Sequence, residues 1–405
     1  MIKLRQDIPL SFAQQRLWFM EQLLPNSSLY HIPMRMKLTG KLNTKALRKS
    51  LDYMSNRHES IRTLIKSMDG KGLQVILDKE TPFNLQELDF SHKTPEELDD
   101  YIANEASTAF DFESEPLCRG KLLKIKETEH ILLITFHHIV SDGWSNGVWN
   151  KELSYLYKCY SNNEKPSLAP LSIQYADYSV WQRQWLKDEV LDRQLEYWNN
   201  QLSELTTLEL PTDYPRPKEQ SYRGGHYQSL LPMDTLDSLN KLSKDNNVTL
   251  FMTLLTIFQG VLSKVSNQTD IVIGTPIAGR RMQETEGLIG FFVNTLVLRA
   301  STQNNPRFNE LVQSTKQTTL DAYNHQDIPF EQLVEHLNVT RELNRHPVFQ
   351  VLFVLQNNKE ERLDFGDNLS IGRAGKNNVR QARFDLSLHV SETPKGLSMG
   401  FSYAK

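Results

Sequence analysis

The stretch His137-His-Ile-Val-Ser-Asp-Gly-Trp-Ser145 decides how this chain folds. It follows residues 130–136, HILLITF, a short run rich in apolar and β-branched residues that reads as a strand continuing to His138. Asp142-Gly143 is a turn signal. Residues 144–160, WSNGVWNKELSYLYKCY, then read as a helix with Val148, Leu153, Leu156 and Tyr160 on one broad face. The unit is therefore strand, turn, helix. Side chains alternate faces along a strand, so His137 and His138 cannot both face one cleft. One packs into its own layer, and the other stands at the mouth of the turn, beside a helix N-terminus.

An imidazole in that place suits a general base near neutral pH, because its unperturbed pKa is about 6.5. Asp142 would support it by bonding the ring, or by pairing with an arginine and stiffening the turn. The plainer alternative is that both histidines only pack. Metal ligation needs about three converging protein groups, and no spaced His, Cys or Glu partners stand nearby. Gly143-Trp-Ser-Asn-Gly147 also satisfies G-x-S-x-G, the nucleophile elbow of α/β-hydrolases. Ser145 reads better as a helix N-cap. An elbow serine follows its strand almost directly, whereas residues 139–142 intervene here, and no HGGG-type oxyanion segment is present.

Outward from this unit, strands and helices alternate along 405 residues, enough for two or three globular units at about 150 residues each. Residues 43–56 read as a helix capped by Asn43 or Thr44, with Leu47, Leu51 and Met54 at helical spacing. The polar, Pro-containing stretch 161–170 is the best boundary between two lobes. One or two amphipathic helices cover 175–205, and a Pro- and Gly-rich loop covers 206–225. Residues 249–264 read as a buried helix. Strands are expected at 270–276, 292–299, 348–355 and 383–403. The expected fold is α/β.

Charge and composition narrow the function. Lys plus Arg number 46 against 49 Asp plus Glu, with no basic stripe, which argues against a nucleic-acid partner. No segment approaches the roughly 20 apolar residues of a membrane helix, and the N-terminus lacks the apolar run of a signal peptide. Cys118 and Cys159 are far apart. A lone disulfide stays open, but two thiols in so long a chain fit a reducing compartment better, so a cytoplasmic setting is expected.

HHIVSDGWS resembles the H-H-x-x-x-D-G motif of condensation domains, related acyltransferases and chloramphenicol acetyltransferase-like folds. Six further segments resemble condensation-domain motifs in the same order. They are Ser11-Phe-Ala-Gln-Gln-Arg-Leu-Trp18, Arg57-His-Glu-Ser-Ile-Arg-Thr63 and Tyr175-Ala-Asp-Tyr-Ser-Val-Trp181, then Ile289-Gly-Phe-Phe-Val-Asn-Thr295 continuing to Arg299, His325-Gln-Asp-Ile-Pro-Phe-Glu331 and Arg341-Glu-Leu-Asn-Arg-His-Pro347. Each also has a structural reading. Leu17, Trp18, Ile61 and Trp181 suit packing, Arg16 and Arg62 need partners if interior, and Asp327 suits a capping role before a helix.

The resemblance implies two chloramphenicol acetyltransferase-like lobes, residues 1–170 and 171–405, in a V-shaped pseudo-dimer around a central tunnel. Segments of the second lobe, 274–280 and 291–294, would cross over to close that tunnel. The chain ends inside an apparent strand, so its C-terminus is expected to be truncated. The implied activity is non-ribosomal peptide-bond formation between a donor aminoacyl or peptidyl thioester and an acceptor aminoacyl thioester. Both would arrive on 4'-phosphopantetheine arms of upstream and downstream peptidyl carrier proteins, with no cofactor bound by the domain itself. An adenylation domain is expected next to it in the full synthetase, and the domain is expected to be monomeric.

In this reading His138, Asp142 and Gly143 form the catalytic set. His137 and Arg280 support it, with Arg280 pairing to Asp142. Trp144, Ser145 and Asn294 are expected as tunnel or substrate contacts. Residues 144–153 resemble the subtype that joins two L-residues. Two alternatives remain: a serine hydrolase or thioesterase using Ser145, and a non-catalytic module that docks carriers.

Overall fold

An apolar run of this kind is stable as a strand only when both of its faces are covered. Glu129–His137 meets that condition in the computed structural model, with eight consecutive buried residues from His130 to His137. The structure describes residues 5–337, 342, 344–356, 361–375 and 382–405. The strand is central in a five-stranded sheet of order Leu369–Arg373, His31–Gly40, Glu129–His137, Cys118–Lys126, Leu85–Asp89. It runs antiparallel to both neighbours, with His31 opposite His137 and Cys118 opposite Phe136. One face carries Leu132, Ile134 and Phe136 into a core with Leu47 and Leu51 of helix Thr44–Arg57 and Trp149, Leu153 and Leu156 of helix Gly143–Ser161. The other face carries Ile131 and Leu133 against Ile102 of helix Pro95–Ser107. Each such side chain contributes about 1.5–3 kcal/mol on burial, so this strand is a fixed platform for whatever follows it.

The strand stops one residue short of expectation. His138–Val140 form a short 3-10 turn, so His138 lies beyond the sheet, not on it. Asn43, not Thr44, caps helix Thr44–Arg57, its side chain accepting from Ala46 N at 3.0 Å.

The chain divides into two compact units. The first takes residues up to Trp185, then Arg280–Val293, and the described part of 359–378. The second takes Leu186–Gly279 and the described parts of 294–358 and 379–405. The first break thus falls after Trp185 and not in the 161–170 loop. The reason is that helix Tyr175–Trp185 is welded to the first unit: Tyr175 is buried in its core and bonds both Ser11 and Phe291. Trp181, expected to pack, is exposed and stacks on Trp185 at 5.1 Å between ring centroids.

The second unit is built on a six-stranded sheet, order Asn294–Ser301, Asp270–Ile277, Val351–Gln356, Leu386–Thr393, Gly396–Ala404, Gly224–Pro232. Val351–Gln356 is parallel to both its neighbours, and the other pairings are antiparallel. Helix Leu250–Ser266 buries Leu255, Phe258 and Leu262 with Phe349 and Phe353. The 383–403 stretch is two strands, because Pro394-Lys395 turns the chain and Gly396 takes φ +122 with no room for a side chain. Arg341 and Leu343 of the last motif lie outside the described residues. Cys118 and Cys159 are both buried and unbridged.

Candidate active site

The turn after the central strand is where the motif residues gather. Ser141 and Asp142 keep extended backbone, and helical geometry begins at Gly143. Asp142 is therefore the N-cap, accepting from Ser145 N at 2.8 Å. Ser145 sits three residues further in, which corrects its assignment as the cap.

Asp142 is fully buried and both of its carboxylate oxygens are engaged. Its Oδ1 also accepts from the Ser145 hydroxyl at 2.7 Å and from Arg280 Nη2 at 3.1 Å, and its Oδ2 accepts from Phe292 N at 3.0 Å. The Arg280 side chain is only 1% exposed. Its Nη1 donates to Leu288 O at 2.9 Å and to Thr285 O, and its guanidinium lies 4.1 Å from the Phe292 ring centroid. Burial holds its pKa below the ordinary arginine value, against the opposing pull of the Asp142 charge. Of the two roles left open for Asp142, this geometry is the arginine pair.

Ser145 is spent in the same network. Its hydroxyl donates to Asp142 and accepts from Arg280 Nη2 at 2.8 Å and Gly290 N at 3.1 Å. It is wholly buried and no imidazole is among these partners. Its hydroxyl is thus held by structural partners, an arrangement unlike the serine–imidazole pair that a hydrolase needs. Trp144 donates its indole N–H to Glu286 O at 2.9 Å. Asn294 lies in the second unit, where Nδ2 donates to Gln326 O and Ile328 O and Oδ1 accepts from Phe330 N at 3.0 Å. It thereby caps helix Phe330–His336 from outside, taking the role expected of Asp327.

The two histidines separate, not by strand alternation but because the strand ends at His137 and His138 opens the 3-10 turn. His137 is buried among the rings of His31, Phe110 and Phe112, and its Nδ1 accepts from Ile139 N at 3.1 Å. That acceptor role fixes the proton of a neutral ring on Nε2. His138 is half-buried. Its backbone N–H donates to Tyr30 O at 2.7 Å, and its ring meets Phe291 edge-on at 4.9 Å between centroids. Gly143 is exposed, and a Cβ there would meet nothing within 4 Å.

Other motif residues hold this arrangement from behind. Arg57 and His58 clasp Glu152 at 3.0 and 2.7 Å, tying the second motif to the helix that Asp142 caps. Ser60 donates to Ile289 O at 2.8 Å, and buried Arg62 donates to Ser55 O at 3.1 Å and to Leu77 O. Ser11 bonds the Tyr175 hydroxyl at 2.8 Å, which in turn donates to Phe291 O at 2.6 Å. Burial, reinforced by Tyr178, holds that phenol protonated, well above the usual tyrosine range. Sequence reading gave Glu152 no part in the site and Phe291 only a place in a crossing segment. Nothing local signals their hydrogen bonds, since His58 lies 94 residues from Glu152 and Tyr175 lies 116 from Phe291.

Residues 4–405 match the condensation-domain family. The chain belongs to that family. One of the linear gramicidin synthase subunits of Brevibacillus parabrevis is 44% identical over 404 residues, covering 98% of this chain and 8% of the relative. The dimodular nonribosomal peptide synthase of Bacillus subtilis (strain 168) is 38% identical over 411 residues, covering 98% of this chain and 17% of the relative. The condensation domain thus spans a small fraction of the curated relatives it matches. Among solved structures, the X-domain from teicoplanin biosynthesis aligns with a TM-score of 0.86 at 26% identity, covering 98% of this chain and 90% of that one. The α/β fold and the condensation-domain family expected from the motifs are both upheld.

Proposed function

We propose that this condensation domain joins a donor aminoacyl or peptidyl thioester to an acceptor aminoacyl thioester, each carried on the phosphopantetheine arm of a carrier protein. The acceptor amine attacks the donor carbonyl. A C–N bond forms, the C–S bond breaks, the donor arm leaves as its thiol, and the amine gives up one proton. A thioester is already activated, so no covalent nucleophile is required, and holding two tethered reactants together supplies much of the rate. His138 hydrogen-bonds the amine and acts as base, or stabilises the charged tetrahedral intermediate.

The observation that carries this reading is the division of labour within HHIVSDG. Asp142 is committed to Ser145, Arg280 and Phe292, and His137 to Ile139 N–H. His138 alone of these three titratable side chains is not fully buried. Gly143 is exposed, and the space a side chain would take there is open. Residues 144–153 support the subtype joining two L-residues, and the buried, unbridged thiols suit action in the cytoplasm. In the full synthetase an adenylation domain would adjoin it.

The test is His138→Ala with loaded donor and acceptor carriers, the dipeptidyl product followed by mass spectrometry. General-base loss should lower the condensation rate by roughly 10²–10⁴-fold while carrier binding persists. Undiminished product would overturn the role of His138. Carrier binding with no product from either protein would leave a docking module instead.

A further inference from the structure

The turn His138–Val140 presents the reacting imidazole, yet three residues of 3-10 helix make too few bonds to hold themselves. Their stability must come from outside. His138 N donates to Tyr30 O, Ser141 N donates back to His138 O at 3.3 Å, and Ile139 N donates to His137 Nδ1. The Ile139 carbonyl is met by Gln14 Nε2 at 3.1 Å.

Gln14 is 1% exposed and sits in the first turn of helix Phe12–Leu23. Its Oε1 accepts from Ser11 N at 3.1 Å while Ser11 Oγ accepts from Gln14 N at 3.1 Å, a reciprocal capping box. One amide therefore serves two sites with two different atoms. Ser11 N–H can meet only an acceptor and Ile139 O only a donor, so a single amide orientation works. Glutamate would close the capping box equally well. What glutamine adds is the N–H aimed at the turn.

The His138 ring is tied to the same helix end. From Ser11 the bonds run to Tyr175 and on to Phe291 O, and the Phe291 ring lies against the His138 ring. Resting on the reading of His138 as the reacting group, we infer that Gln14 is a positioning residue: its side-chain N–H, bonded to Ile139 O, fixes the turn that aims the His138 ring.

Gln14→Glu separates the two bonds. The ionised carboxylate keeps the Ser11 bond but turns lone pairs toward Ile139 O. Protonated, the same side chain has an O–H to donate and the clamp is restored. Buried carboxyls titrate as high as about pH 8–9, so both states are within reach of the assay. The charged and titratable groups around that position are His137 and His138 on the turn, Tyr175 beyond Ser11, Arg183 over Phe12, Arg16 on the same helix, and the Asp142–Arg280 pair behind the turn.

The experiment compares wild type, Gln14→Glu and Gln14→Met with the synthetase's own loaded carriers from about pH 9 down to about pH 6. Backbone hydrogen exchange of residues 139–141 is read by mass spectrometry under the same conditions. Relative to wild type at each pH, kcat of Gln14→Glu should be down roughly 100-fold at the alkaline end and recover at least roughly tenfold at the acid end, with a smaller change in KM. Exchange of residues 139–141 should quicken and recover in step. Gln14→Met should be impaired at every pH. Wild-type kcat and exchange in Gln14→Glu throughout would overturn the inference, and so would a deficit that ignores pH. If His138→Ala keeps full activity while the exchange of Gln14→Glu behaves as described, the clamp stands and the role of His138 falls.

Discussion

Asp142→Asn removes one charge and almost no volume from the centre of the site. Asparagine cannot reproduce the bonds. If Oδ1 stays toward Ser145 and Arg280, Nδ2 points at Phe292 N–H, donor against donor; if the amide flips, Nδ2 opposes Arg280 and Ser145 N–H. Either way the Arg280 guanidinium, 1% exposed, is left without its counter-charge. Removing one partner of a buried pair costs about 3–5 kcal/mol. At roughly 2–4 °C per kcal/mol for a unit of this size, the melting temperature of the first unit should fall by about 6–20 °C. Calorimetry on the intact chain measures this. The double variant Asp142→Asn/Arg280→Gln should lose less than the sum of the single losses, by about 0.5–3 kcal/mol, because the second change removes the stranded charge. A shift under about 1 °C in the single variant, or strict additivity in the double, would refute the view that this pair anchors the turn.

Glu152 gives a pH signature. Burial raises its pKa, but the His58 bond and the His58 and Arg57 charges outweigh it and hold the carboxyl below its ordinary value. A depressed carboxylate contributes stability that is complete above the unfolded-chain value and lost as pH falls through the folded one. Urea unfolding of Glu152→Gln should therefore give a lower stability than wild type near neutrality and a flatter decline below about pH 4.3. Ser145→Ala should cost about 1–3 kcal/mol by urea unfolding, because Gly290 N–H loses its acceptor. It should retain condensation activity, and a fluorophosphonate should leave wild-type Ser145 unlabelled. Asn294→Ala should destabilise by about 1–3 kcal/mol, seen as a lower melting temperature, because it uncaps Phe330 N–H and strands two carbonyls.

Elements that follow from local chemistry were readable from the chain. Helix Thr44–Arg57 starts where Asn43 can cap it, and the apolar run before His137 is the buried central strand. The pairing of Asp142 with Arg280 was implied by the motifs and is present. The misreadings share one cause, a local signal answered by a distant group. Ser145 resembles a cap, but Asp142 already fills that position. Asp327 stands before helix Phe330–His336, yet Asn294 reaches its first N–H from 36 residues away. Gln14 shows both sides: its capping box is visible in Ser-x-x-Gln, whereas its bond to Ile139 spans 125 residues and has no local trace.

The sheet of the first unit takes its edge strand from Leu369–Arg373, and its central aspartate takes its arginine from residue 280. During synthesis this has a price in time. Translation at roughly 5–20 residues per second leaves about 7–28 s between the appearance of Asp142 and that of Arg280, 138 residues later. Over that interval the nascent first half carries an uncompensated carboxylate and an open sheet edge. A first half severed at the polar loop would hold that unfinished state permanently, because both the arginine and the edge strand lie beyond the cut.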